Sequence, residues 1–581
     1  RRVHGGNNIT MSTMEDINNS FKGYGKVDPA EELAFRRKTR RRVAVLAVSS
    51  IVLVAVVVGV VAGVVTNKKS DGLQSDKQSL STSLKAVCQV TQYPDSCFSS
   101  IAPLGENTTD PETIFTASLQ VLHDSLIKLK QLPVKLAKGV NDGFLVNALN
   151  DCVTVFDEAE DTLNGAVAAV EKNTSLSSST INDIKTLLSS VITNQQTCVD
   201  SLMDAGLKDQ SLIMKEVKES MQSSTEFASN SLAIVTKVIG LLSNYEGEKA
   251  QRKLLSKDDE VPAWASRSLL QRRNPKPHFI VAKDGSGNFT TIAEAVAKIP
   301  QKSNRRTAIY IKAGTYKENI VLGKNMWNVI IFGDGMNRTI ISGQRSVGDN
   351  FTTFASATFA AVGKSFIARD ISFVNTAGPK KYQAVAFRSG SDLSVYIRCG
   401  FDAYQDTLYV HSNRQFYSNC LISGTVDFIF GNAAAVFKGC DIRPREPMPG
   451  QFNTITAQGK MDPNQNTGIS IMNSRISSYG VVTAKTYLGR PWKNYSTTVF
   501  MQTAIGPLVS PVGWSQWIFG VTPPNTIFYG EYQNSGPGSN VAERVKWAGV
   551  YPNLNRIQAS KYSVNSLIQG NKWISAVTKG L

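Results

Sequence analysis

From residue 279 onward the chain repeats one short pattern: an apolar run, a small or polar residue, then a return to apolar. It reads IARDISF around Asp370, YIRCGF around Cys399, YSNCLI around Cys420, FKGCDI around Cys440 and MNSRIS around Ser474, at intervals of 29, 21, 20 and 34 residues. Short runs rich in Val, Ile, Phe and Tyr and broken by Gly, Asn and Asp read as strands. One such strand per interval, with loops of wandering length, predicts the stacked coils of an all-β right-handed parallel β-helix. A β-sandwich with coincidental spacing is the alternative.

The recurrence has a chemical consequence. Asp406 lies seven residues after Cys399, and Asp427 lies seven after Cys420. In stacked coils the two aspartates share a face one strand spacing apart, roughly 5 Å. Cys399 and Cys420 stack as well, within reach of a disulfide, which leaves Cys440 unpaired and buried. Two carboxylates this close do not both ionise freely, so one holds a proton near neutrality while the other stays charged. The pair then supplies an anion able to attack and an acid able to donate. Acidic pairs are more often solvated surface features or cation sites. Asp427, however, is embedded in GTVDFIFG beside Val426, Phe428, Ile429 and Phe430. An aspartate in an apolar strand needs a specific partner, and Arg490 in YLGRPW is the candidate, through a bidentate contact.

A different period governs residues 82–245, where Leu, Val, Ile and Ala return every three or four positions, as in SLQVLHDSLIKLKQL. Amphipathic helices with short connections predict an all-α antiparallel four-helix bundle. Four cysteines fall here, Cys88, Cys97, Cys152 and Cys198. Their even number favours two disulfides in an oxidising compartment, and the sequence alone permits three pairings. Residues 246–278 are charged, rich in Pro and aperiodic, as an exposed linker would be.

The compartment follows from residues 43–65, which are 23 uncharged residues, enough to cross a bilayer as a transmembrane or signal-anchor helix. Six basic residues precede this run within FRRKTRRR, against Lys68 and Lys69 after it, so residues 1–42 read as a cytosolic tail and the remainder enters the secretory pathway. Asn107, Asn173, Asn288, Asn337, Asn350 and Asn494 open Asn-x-Ser/Thr triplets, as a secreted glycoprotein offers.

Charge divides the chain in the same places. Residues 43–270 carry 19 Lys/Arg against 26 Asp/Glu, a net −7, and residues 271–581 carry 34 against 15, a net +19. A field of that size suits an anionic partner, a nucleic acid or an acidic polysaccharide, and entry into the secretory pathway argues against nucleic acid. The four histidines, His4, His123, His278 and His411, form no cluster with zinc-ligand spacing, which disfavours a metallohydrolase.

Residues 82–245 resemble the plant invertase and pectin methylesterase inhibitor family on TQYPDSC, DCVTVFDEAEDTL and TCVDSL. The resemblance implies pairing of Cys88 with Cys97 and of Cys152 with Cys198. Residues 275–581 resemble the plant pectin methylesterases on VAKDGSGNFTTIAEAV, GTYKE, QAVAFR at 383–388, YQDTLY at 404–409, GTVDFIFG at 424–431 and LGRPW at 488–492. This second resemblance implies a pectinesterase domain over 279–581 that needs no cofactor and hydrolyses the C6 methyl esters of homogalacturonan. Carried over residue by residue, it makes Asp427 the nucleophile and Asp406 the acid and then the base. Gln383 and Gln405 become donors to the oxyanion, Arg490 the residue that orients Asp427, and Trp492 an aromatic face for the sugar.

The resemblance also implies secretion to the cell wall, an inhibitory helical region, and a processing protease acting at the basic-Leu-Leu motifs Arg252–Leu255 and Arg267–Leu270. Separate inhibitor proteins are further implied partners. Among rival chemistries, a Ser-His-Asp esterase lacks a G-x-S-x-G elbow, and His411 reads as a structural residue. A glycoside hydrolase also uses carboxylates about 5 Å apart. A lectin-like cationic groove would not need both Asp406 and Asp427 intact.

Overall fold

In the computed structural model the described residues are 83–104, 110–172, 176–242 and 274–579. The apolar run at 43–65, its basic flank and the two basic-Leu-Leu motifs lie outside them. Among the described residues no helix is long and apolar enough to cross a membrane.

The first part is helical: α1 (Pro94–Ile101), α2 (Pro111–Lys130), α3 (Leu132–Ala137), α4 (Gly143–Glu171), α5 (Ser178–Asp204) and α6 (Leu212–Ile234). The four long helices α2, α4, α5 and α6 form the bundle. Each starts where a side chain accepts an otherwise unpaired amide. Asp110 accepts from the Thr113 N–H, Asp142 from Phe144 and Leu145, Ser177 from Thr180, and Ser211 from Met214. Along α4 the buried positions Leu145, Ala148, Leu149, Cys152, Val155, Phe156, Ala159 and Leu163 recur at three and four, which puts them on one face. Disulfides join Cys88 to Cys97 and Cys152 to Cys198, the pairing implied by the resemblance to the inhibitor family.

The second part is a right-handed parallel β-helix of three sheets, with eleven, seven and eight strands. Each central coil gives one strand to each sheet, and the end coils add strands to the eleven-stranded sheet alone. Ser394–Ile397, Gly400–Asp402 and Leu408–Val410 are followed by Arg414–Ser418, Leu421–Gly424 and Ile429–Gly431, and equivalent strands pair in parallel. At the corner between the first and second strand of successive coils, Asp370, Arg398, Asn419, Gly439, Asn473 and Gln502 all have left-handed φ, between 47° and 66°. Such a tight corner is where short polar residues and glycine are tolerated. In-register stacking places like on like, and the rings of Tyr396, Tyr417 and Phe437 lie 4.4 Å apart in a column. The buried core of the coils runs from Val281 to Tyr529, with Phe279, Val545, Trp547 and Val550 packed against it and no bundle residue in it, so this part is closed on itself. Helix Ile292–Val296 caps its first coil, held by a capping box between Thr291 and Glu294.

Two expectations need correction. The position equivalent to Cys399, Cys420, Cys440 and Ser474 is Ile371, not Asp370, because Ser372 pairs with Gly400 and Gly400 with Leu421. Cys399 and Cys420 form no disulfide: they and Cys440 are three free, buried thiols. In-register positions on parallel strands hold Cβ atoms roughly 4.8 Å apart on parallel vectors, whereas a disulfide needs about 3.8 Å.

The bundle lies on the outer face of the seven-stranded sheet, and the apolar core runs through the seam. Phe354, Ala357, Ala360, Val385, Tyr409, Phe430 and Ala457 belong to one buried cluster with Leu149, Val155, Leu202 and the other bundle side chains. At its margin four ion pairs join the parts among the described residues: Lys324 to Asp157 at 2.7 Å and to Asp161 at 3.9 Å, Arg414 to Asp183 at 2.5 Å and Lys493 to Asp200 at 2.7 Å. Every cation comes from the β-helix and every anion from the bundle.

Candidate active site

The pairing of Leu408 with Ile429 sets Asp406 opposite Asp427 in adjacent coils, and the Asp406 N–H donates to the Val426 carbonyl at 3.0 Å. Both aspartates enter their strands through left-handed φ, 63° and 52°. That geometry strains a residue with a Cβ and persists only where surrounding contacts enforce it.

For Asp427 those contacts are identifiable. Arg490 donates through Nε to Oδ1 at 2.8 Å and through Nη2 to Oδ2 at 2.6 Å, a bidentate pair with a side chain buried to 7% exposure. Thr454, one coil further on, accepts the Asp427 backbone N–H at 2.8 Å and donates its own hydroxyl to Oδ1 at 2.6 Å. The carboxylate is thus fixed in position by three donors.

Asp406 has the opposite environment. Burial pushes its carboxyl well above the ordinary value, and the charges of Asp427 and Asp204 push in the same direction. Two facing carboxyl groups with environments that differ in this way divide into an anion and an acid.

Above the pair is a cavity of about 350 Å³. Gln383, Gln405, Arg490 and Trp492 all line it, so the structure gathers every expected site residue. Trp492 lies close over the backbone of Gly459, where an added Cβ would come within 2.9 Å of the indole. Of the aromatic residues near the motifs, Tyr409 lines the cavity and Phe428 belongs to the core. His411 is fully buried, bonded through Nε2 to Thr197 at 2.9 Å, and its ring is driven down to about 3 by burial and by Arg388. It is neutral and structural, and the residue it holds belongs to the bundle.

Sequence reasoning missed two sets of residues. Thr454 lies in the strand Asn453–Gln458, whose alternating NTITAQ pattern was legible, but the recurrence leaps from Cys440 to Ser474 without using it. The second set is the cavity's far wall, Thr197, Asp200, Ser201, Met203 and Asp204, which all come from the end of α5. Asp204 accepts the Thr353 N–H at 2.7 Å, and burial raises its carboxyl to about 7. No local signal in a helix end tells which surface it will cover.

The family described as Pectinesterase matches residues 278–571, and the one described as Plant invertase/pectin methylesterase inhibitor matches residues 82–234. "Pectinesterase 1" of Arabidopsis thaliana is 51% identical over 97% of this chain and 98% of its own length. The chain belongs to the pectinesterase family. "Pectinesterase 3" of Phaseolus vulgaris is likewise 51% identical, over 96% of this chain and 98% of its own. Among solved structures, a pectin methylesterase from carrot is 50% identical with a TM-score of 0.50, covering 53% of this chain and 98% of the carrot chain. Pectinesterase relatives of full length therefore share both parts of the chain, whereas the carrot structure matches about half of it.

Proposed function

We propose that this pectinesterase hydrolyses the C6 methyl esters of homogalacturonan to pectate and methanol. The observation that carries the reading is the unequal pair: Asp427 gripped by the Arg490 fork and the Thr454 hydroxyl, and Asp406 buried beside it with its carboxyl pushed well up. Asp427 attacks the ester carbonyl carbon, and the Gln383 and Gln405 amides donate to the oxyanion that forms. Asp406 gives its proton to departing methanol, then takes one from the water that cleaves the acyl-enzyme. Trp492 supplies a flat apolar face for the sugar ring. The test is methanol release from esterified pectin. Release of reducing ends from pectate in its place would assign the carboxyl pair to glycoside hydrolysis.

The helical part is a pro-region that holds the enzyme closed. The support is steric and electrostatic: the end of α5 forms one wall of the cavity, and Asp204 adds a third carboxyl beside the reacting pair. Cutting at Arg252–Leu255 or Arg267–Leu270 frees the groove for the polymer in the cell wall. Free inhibitor proteins of the same helical family would bind the face the bundle vacates. Blocking both motifs should leave secreted protein uncleaved and poorly active, and full activity in that protein would remove the restraining role.

A further inference from the structure

The residue before Gln383 is held in a backbone conformation that its side chain disfavours. Tyr382 has φ 60° and ψ −138°. Asn350 and Gln569 also have positive φ, but with ψ of 32° and 38° they lie in the left-handed helical region that short polar side chains visit. Tyr382 lies outside that region, near the first central position of a type II′ turn. Glycine usually holds that position, because a Cβ is strained there.

The contacts that enforce the strain come from the flanking backbone. The short 3₁₀ turns Val347–Asp349 and Pro379–Lys381 lie against each other, and a Cβ added to Gly348 would come within 3.1 Å of Lys381. Lys381 pairs with Asp349, the Ser346 hydroxyl donates to Asp349 at 2.7 Å, and the Val347 N–H donates to the Gln383 carbonyl at 2.9 Å. Beyond Gln383, the Asn375 amide donates to the Val385 carbonyl at 3.0 Å. None of these contacts uses the Tyr382 side chain, which is 55% exposed and belongs to none of the buried clusters. The tyrosine therefore brings strain and little packing, and glycine would serve the fold better.

The position has meaning along the groove. In-register pairing of Phe387, Leu408, Ile429, Thr456 and Gly489 puts the coil of Tyr382 one before that of Asp406, and the coil of Trp492 two beyond that of Asp427. The two aromatic residues thus belong to coils four strand spacings apart, roughly 19 Å, with the reacting pair between them. A single sugar cannot bridge that distance, whereas a polymer can. We infer that Tyr382 is a contact for a sugar ring flanking the hydrolysed unit, on the side away from Trp492, and that it favours long chains over short ones. The inference rests on the pectin esterase reading and sharpens it. A tyrosine ring offers a rigid, flat, apolar face at low conformational cost, which suits the C–H face of a pyranose.

The test uses the β-helical part released from the bundle, which has its own closed core. Tyr382→Gly removes ring and strain, Tyr382→Ala removes the ring and keeps the Cβ, and Tyr382→Phe keeps the ring. The ratio of kcat/KM on a long methylated galacturonate oligomer to that on a short one should fall about tenfold in the Gly and Ala variants and hold in the Phe variant, through KM and not kcat. An unchanged ratio overturns the contact, and so does a fall confined to kcat, which would make Tyr382 a positioning residue for Gln383. Calorimetric binding of a long unesterified oligomer needs no turnover, so it separates the two readings. Weaker binding by the Gly and Ala variants supports the contact even if no methanol is ever released, and equal binding overturns it. The Gly variant should melt at least as high as the wild type. A lower melting temperature would assign the ring to packing and overturn the inference.

Discussion

The helical bundle and the β-helix solve the folding problem at different ranges. In α4 the residues that meet are three or four apart, and the period alone announces them. In the β-helix the residues that meet are a coil apart, Asp406 from Asp427 by 21 positions and Asp427 from Thr454 by 27. The bundle therefore depends on sequence composition over short windows, and the site depends on register. A substitution in the bundle should act through stability, and one in the site through chemistry.

The largest expected effect tests the second half of that contrast. Asp427→Asn should leave the circular dichroism and melting temperature of the released β-helical part nearly unchanged while methanol release falls by roughly 10⁴-fold or more. Wild-type turnover in the folded variant would remove Asp427 from the nucleophile's role. The converse is Cys152→Ser with Cys198→Ser, which should destabilise the bundle by about 2 to 5 kcal/mol. By calorimetry the bundle transition moves and that of the β-helix does not. A shift of both together would show that the two parts unfold as one unit.

A smaller effect separates register from packing. Thr454→Val keeps the shape of the side chain and removes both the hydroxyl donated to Asp427 and the acceptor for its N–H. The kcat for methanol release should fall by about 10- to 100-fold, with KM little changed, and Thr454→Ser should restore most of it. An equal loss in the Ser variant would point to packing of the methyl group.

The smallest effect concerns the seam. Burial raises Asp151 to about 6 against hydrogen bonds from Thr352 and Ser201 and the charge of Arg388, Glu158 to about 7 against Arg388 and Lys324, and Asp204 to about 7 against hydrogen bonds from Thr353. Carboxyl groups raised in the docked state take up protons on docking, so their contribution is fully present below the ordinary carboxylate range near pH 4. It is lost as pH rises through about 6 to 7. Asp157, lowered where Lys324 and Lys130 pair with it despite its desolvation, acts in the opposite sense and only at more acid pH. After the linker is cut, the bundle should bind the β-helix at least about tenfold more tightly at pH 5 than at pH 8, read by size-exclusion chromatography. Affinity that rises with pH would show that the ion pairs govern the seam.

What was legible in the sequence follows the same division. Asp427 stood out because an aspartate among Val426, Phe428 and Ile429 violates the apolar pattern of a strand, and Asp406 because it repeats the spacing. The register at Asp370 was misread by one residue, since a left-handed corner and the position after it look alike in IARDISF. The Cys399–Cys420 bridge failed because proximity along a ladder is not convergence of side chains. Neither Arg388 under α4 nor Thr197 against His411 was visible, because both contacts join residues more than two hundred positions apart or lie beneath another fold.

The apolar core that runs unbroken from the bundle to Tyr409 and Phe430 makes concentration a controlling variable. On one chain, groove and cover meet at an effective concentration set by the tether, of millimolar order for short flexible tethers, and no other copy competes on equal terms. Under the proposed processing, a cut in the tether would remove that advantage. The pair would then be exposed to dilution, and the surface proposed to seal the precursor would become a dissociable complex whose occupancy depends on how crowded the surroundings are. A sparse population of cut molecules would open, and a dense one would stay largely shut.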